Sequence, residues 1–247
     1  GITLLKLSKV LQIPLKSLQK HIYFLNEDLK QLSVDLALSK NSYNQYYIEI
    51  KTTDAPCYSQ LIYYYLLNSP QYQLVQYLIS HTNSSMAQLC SDLHVSQSHM
   101  YRLVKKVNQI LKPFHLSVIT NVENTIEIAG KEIDIRIFIY SFLTQSAPSY
   151  LSLVPNTTFS EAERFTDFFD FAGLDQLTKN KLYAFWKTIM IRTSQKKYVP
   201  EIPEKYQALL NFYAFLPEEV LDSFPLSVST IKEETVQAEY LYLNFFL

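Results

Sequence analysis

The chain has 247 residues and a formal net charge of −1; 48% of it is hydrophobic and 14% aromatic, with 3 glycines. That length holds one large domain or two to three small ones, with apolar mass enough for a packed core. Gly1, Gly130 and Gly173 cannot build a glycine-rich phosphate loop, so P-loop and dinucleotide fingerprints are excluded, and the near-zero charge excludes a chain that is basic throughout.

Scarce glycine with abundant Leu, Tyr and Phe favours a mainly α protein. The first pattern is a helix at about residues 3–12, with Thr3 as its N-cap. Pro14 breaks it, because the residue before proline avoids the helical region. A second helix is expected at about 15–32. Leu15, Leu18, Ile22, Leu25 and Leu29 alternate steps of three and four, which predicts one buried stripe. Lys16, Ser17, Gln19, Lys20 and Tyr23 then face outward. Val34 to Ile50 reads as two strands around the turn-rich Ser39-Lys40-Asn41-Ser42. Helix, tight break, helix and hairpin make a winged helix over residues 1–54. The helix that should lead it has no room, since two residues precede Thr3. The start at Gly1 rather than Met, and the stop at Leu247 within an apolar pattern, are read as cut ends of a longer protein.

Residues 55–70 form a linker with a Tyr-rich helical run, Leu61–Leu67, that could pack on either neighbour. A second winged helix is expected over 55–130. Its leading helix lies at 71–81, Thr82–Ser85 is a capping loop, and a helix at 85–93 precedes Val95. Ser96 caps the next helix, 97–112, which ends at Pro113. Its core stripe is Met100, Leu103, Val104, Val107 and Leu111. Gln97, Ser98, Tyr101, Arg102, Lys105 and Lys106 are exposed candidates. Strands at Leu116–Thr120 and Thr125–Ala129 flank the turn Asn121–Asn124.

Residues 4–29 and 86–111 are one text written twice. They align without a gap: Leu7 on Leu89, Leu11 on Leu93, Ile13 on Val95, Leu18 on Met100, Lys20 on Arg102, Ile22 on Val104 and Asn26 on Asn108. Each copy is a short helix, a break and a longer helix with a basic face, the grammar of a helix-turn-helix whose second helix enters the major groove. Lys6, Lys9, Lys16 and Lys20 lie in residues 1–26 without an acid, as do Arg102, Lys105, Lys106 and Lys112 in residues 96–112. Phosphate binding needs such concentrations of charge.

From Lys131 to Leu247 the pattern is an all-α bundle, with helices at about 131–146, 160–172, 175–194, 203–214, 217–223 and 229–247 punctuated by prolines. Cys57 and Cys90 form no disulfide framework, and Cys90 is expected to be a buried thiol. With no signal peptide and no apolar run of membrane length, the expected place is the cytoplasm, away from membranes.

The most specific stretch runs Ser96-Gln-Ser-His-Met-Tyr-Arg102, Lys105-Lys106-Val-Asn108 and Ile110-Leu111, then Ile126-Glu-Ile-Ala-Gly130-Lys-Glu132 and Ile135-Arg136. With the repeat, the wings and the bundle, it resembles the Mga family of Gram-positive regulators over nearly the whole chain. The resemblance implies tandem winged helices followed by bundles similar to the sugar-phosphotransferase regulation domain. It also implies activation of virulence or sugar-responsive genes, and phosphotransferase components as partners through further regions. Regulation domains of that kind are controlled by phosphorylation of bundle histidines. Here the histidines are His21, His81, His94, His99 and His115, so the bundle carries none.

Binding to promoter duplex is the chemistry these faces suit. Arg102 could fork onto a guanine edge or grip a phosphate, while Lys105 and Lys106 suit phosphates. Lys40 and Asn41 of the first wing could touch the backbone or minor groove. Tyr23 and Tyr101 could instead pack on neighbours. A zinc site at Cys90, Asp92, His94 and His99 is disfavoured because the four sit on two helices. Asp167 and Asp170 have no partner base or nucleophile, so neither a catalytic residue nor a cofactor is expected. A homodimer or higher homo-oligomer is expected from the apolar Tyr240–Leu247 end. Two rivals stay open: an antiterminator-like RNA-binding regulator, and an interaction module that binds no nucleic acid.

Overall fold

The computed structural model describes residues 1–32, 36–50, 56–146 and 175–199, together with Thr235, Ala238, Glu239 and Tyr242. The helices expected at 160–172, 203–214 and 217–223, most of 229–247, and Asp167 and Asp170 lie outside these residues. The chain forms two compact units, residues 1–68 and 69–247.

The first unit runs β1 (Ile2–Thr3), α1 (Leu4–Leu11), α2 (Leu15–Gln31), β2 (Leu36–Lys40), β3 (Gln45–Ile50) and α3 (Pro56–Leu67). The three strands form an antiparallel sheet in the order β1-β3-β2. The Thr3 hydroxyl accepts from the Lys6 amide and caps α1, as its position predicts. Leu18 and Leu29 of α2 are buried, but Leu15 is 40% exposed, so the expected stripe is open at its amino-terminal end. Leu15 is the first residue of the helix. Residues Leu61–Leu67 fall in this unit, and the Tyr65 hydroxyl donates to Asp28 at 2.6 Å. Burial, reinforced by Asp28, pushes that phenol up to about 12.

The second unit begins with α4 (Pro70–Ser80), β4 (Ser84–Ser85), α5 (Met86–Asp92) and α6 (Gln97–Leu111). A short 3-10 turn, Lys112–Phe114, leads to β5 (Ser117–Thr120), β6 (Thr125–Ala129), α7 (Glu132–Ser146) and α8 (Gln176–Ser194). Its sheet has the matching order β4-β6-β5. Ser84–Ser85, expected as loop, is a strand because Ser84 pairs with Ile126 and Ser85 with Thr125. Ile2–Thr3 pairs with β3 in the same way. Two-residue strands have no periodicity of their own; the partner strand creates them.

The copies agree at the level of backbone angles. Gln12 and His94 both close the first helix in the left-handed region, at φ 55° and 52°. The next amide in each case donates five residues back, Ile13 to Ser8 and Val95 to Cys90, which ends the helix in the manner usually given to glycine. At the wing tips Asn44 and Asn124 are left-handed too. The Asn41 side-chain oxygen accepts from the amides of Tyr43 and Gln45; that of Asn121 accepts from Glu123 and Thr125. The first turn therefore spans Asn41–Asn44, and Ser39 and Lys40 belong to the strand rather than to the turn.

Leu74, Leu78, Leu89, Met100, Leu103, Val107, Leu111, Val118, Ile126 and Ile128 make the core of the second winged helix. Val104 is half-buried at its margin, and Cys90 is half-buried rather than buried because α5 is short and leaves one side open. Phe114 packs edge-on against Phe138 at 5.1 Å, and Tyr72 stacks on Phe142 at 4.8 Å, so this core continues into α7. Among the described residues, no helix is long and apolar enough to cross a membrane.

Candidate nucleic-acid interface

Helix α6 presents the candidate face. Met100, Leu103, Val107 and Leu111 anchor one face in the core, which turns Gln97, Ser98, Tyr101, Arg102, Lys105 and Lys106 to solvent. Ser96 caps the helix by accepting from the His99 amide at 3.3 Å. No acid lies anywhere from Ser96 to Lys112, and among the described residues Arg102 is restrained only by a long bond from its Nε to the Ser98 carbonyl, 3.4 Å. The guanidinium fork is thus left for an outside acceptor. Tyr101 is 58% exposed, so much of its ring faces solvent.

Both helices of the motif are tied to their surroundings. The Asn108 side chain accepts from the Val118 amide at 2.6 Å and ties α6 to β5. The Tyr77 hydroxyl of α4 lies 2.6 Å from Asp92 and 3.1 Å from Ser84, locking the first helix of the motif to the leading helix. Burial, and then Asp92, raise that phenol above its ordinary range. Tyr77→Phe is expected to lower the stability of the second unit by about 1.5–3 kcal/mol, the usual worth of a hydrogen bond to a charged group. Urea denaturation followed through Trp186, the single tryptophan and a buried residue of this unit, measures it.

In the first unit Lys16, Ser17, Gln19, Lys20 and Tyr23 are likewise exposed on α2. Lys20 lies over the Phe24 ring at 5.6 Å, and Tyr23 meets Phe24 edge-on at 5.8 Å. Tyr23 is 62% exposed, so this contact leaves most of its ring free. Lys40 is exposed on β2 with its ammonium 5.7 Å from the Tyr46 ring. The Asn41 oxygen holds the turn, and its side-chain nitrogen donates one of its two hydrogens to Gln45 at 3.2 Å.

Sequence reading passed over what fixes α7 beneath the winged helix. Arg136 is fully buried and donates two bonds of 2.7 Å to Glu239, which is also fully buried. Its Nε donates to Glu132, which pairs in turn with Arg192 at 2.6 Å. The second Glu239 role is to accept from the Val199 amide at 2.7 Å. Burial alone would depress Arg136, but the Glu239 bonds and charge hold it above its ordinary value. The Tyr242 ring lies 4.8 Å from the guanidinium, and burial pushes its phenol well up against the opposing pull of Arg136. Arg136 and Glu239 are 103 positions apart, a spacing that no local periodicity encodes.

Residues 57–143 match the family model described as the Mga helix-turn-helix domain. The segment contains α4, α5, α6, the second wing and most of α7. No curated protein matches the chain. The match places residues 57–143 among the helix-turn-helix domains of DNA-binding transcriptional regulators. Residues 57–143 thus match the Mga helix-turn-helix domain in sequence and fold as a helix-turn-helix followed by a wing.

Proposed function

We propose that the chain is a transcriptional activator that binds promoter duplex through α6 in the major groove, with α2 as a second reading helix. The observation that carries this is the acid-free exposed face of α6, with Arg102, Lys105 and Lys106 directed away from a tightly packed core. Arg102 suits a guanine edge, Gln97 an adenine or a phosphate, and the lysines the phosphates. The segment after Gly130 serves as a regulatory bundle similar to a phosphotransferase regulation domain, and the protein works in the cytoplasm as a homodimer.

Fluorescence anisotropy with an AT-rich promoter-length duplex is the test. Binding that weakens linearly in log Kd against log salt is expected, and hairpin RNA should compete poorly. Preference for the hairpin would favour the antiterminator reading, and no binding at low salt would favour an interaction module. The same samples in sedimentation should contain dimer; monomer alone at high micromolar concentration removes that part of the proposal.

A further inference from the structure

The two wings share one backbone and carry opposite chemistry. Their tips are superposable in hydrogen bonding, Asn41–Asn44 against Asn121–Asn124, so side chains can be compared position by position. Where the first wing has Lys40, the second has Thr120. Ser42 is matched by Val122, Tyr43 by Glu123 and Tyr47 by Glu127. Tyr43 is 80% exposed, and Val122 is fully exposed. Residues 117–129 contain no cation and two acids. The first wing has one acid, Glu49, which accepts from the hydroxyls of Ser39 and Tyr47 and lies at the far end of the hairpin from Tyr43. A phosphate backbone attracts the first tip and is repelled by the second.

The second wing also has another engagement. Glu127 lies 3.4 Å from Lys197, just beyond α8, and the Gln195 side-chain nitrogen donates to the Ile79 carbonyl at 2.8 Å. Both bonds join the winged helix to the segment that follows it within the second unit. The recognition helices complement this pattern: α6 has Lys105 and Lys106 where α2 has Tyr23 and Phe24. The first unit thus has less phosphate-binding charge on its helix and more on its wing, and the second unit the reverse.

We propose that the two winged helices hold duplex DNA by different parts, the first through its wing, with Lys40 on a phosphate and Tyr43 against the groove wall, and the second through α6 alone, its wing kept off the DNA. This rests on the duplex-binding reading above, and the experiment separates the two. Anisotropy titrations across a salt series compare the unaltered chain with Lys40→Ala/Tyr43→Ala and with Val122→Ala/Glu123→Ala. All four residues are exposed, so the variants should keep the parent circular dichroism and urea midpoint. The first pair is expected to weaken binding about tenfold and to reduce the salt slope by about one, the signature of one lost phosphate contact. The second pair should leave affinity within about twofold and the slope unchanged, since a wing kept off the DNA adds no phosphate contact. Tighter binding with a steeper slope after loss of Glu123 would place the second wing on the DNA and overturn the division. So would an unaffected Lys40/Tyr43 variant in a chain that binds duplex normally. If the unaltered chain binds no duplex, the DNA-binding reading itself falls, and this one with it.

Discussion

Arg136→Met is expected to destabilise the second unit by about 3–5 kcal/mol, the cost of breaking a fully buried ion pair from one side. The reason lies in what remains. Glu132 keeps Arg192 as a partner, so its charge stays compensated. Among the described residues Glu239 keeps only the Val199 amide, and its carboxylate, with no exposed surface, is left without a cation there. Tyr242 loses the guanidinium over its ring at the same time. Urea denaturation through Trp186 fluorescence should show an earlier midpoint. A second variant, Arg136→Met with Glu239→Gln, removes both charges and keeps an acceptor for Val199. It should recover about half of the loss or more, because the penalty comes from the orphaned carboxylate rather than from the absence of a favourable pair. Equal losses in the two variants would instead assign the cost to packing around the guanidinium.

What could be read from the sequence was whatever repeats locally. The stripe Met100, Leu103, Val107 and Leu111 determines both the helix and its buried face, and the exposed candidates follow by subtraction. The caps Thr3 and Ser96 were legible because a hydroxyl at that place satisfies an otherwise unpaired amide, whereas the cap at Ser85 was legible only as a loop, Thr82–Ser85, that offers one. Gln12 and His94 were not legible as helix ends, because neither is glycine and the left-handed turn is imposed by the bonds to Ser8 and Cys90. The strands Ile2–Thr3 and Ser84–Ser85 were invisible for a related reason: they exist only through pairing with strands about forty residues later. Leu15 shows the limit in the other direction. It has the right spacing for the stripe, but periodicity tells which face a residue is on and not whether anything covers that face. Asn108 aligned with Asn26 in the repeat, yet its bond to Val118 needed the fold to be seen.

The largest effect on binding is expected from Arg102→Ala/Lys105→Ala, which should weaken duplex binding roughly 100-fold, from about 1–3 kcal/mol for an Arg base contact together with one phosphate contact. The two losses should be separable. Lys105→Ala alone should reduce affinity for every duplex by a similar factor and lower the salt slope by about one. Arg102→Ala alone should cost most on the preferred duplex and least on an unrelated one, because a forked guanine contact discriminates between bases and a phosphate contact does not. Both side chains are exposed and α6 is fixed by its buried face and by Asn108, so stability should change little. Anisotropy on two duplexes across a salt series measures all three quantities. If Arg102→Ala behaves like Lys105→Ala on both duplexes, Arg102 is a backbone contact, and base reading by α6 passes to Gln97, Ser98 and Tyr101. If neither substitution alters the salt slope, α6 does not face the DNA, and the exposed acid-free surface belongs to another partner.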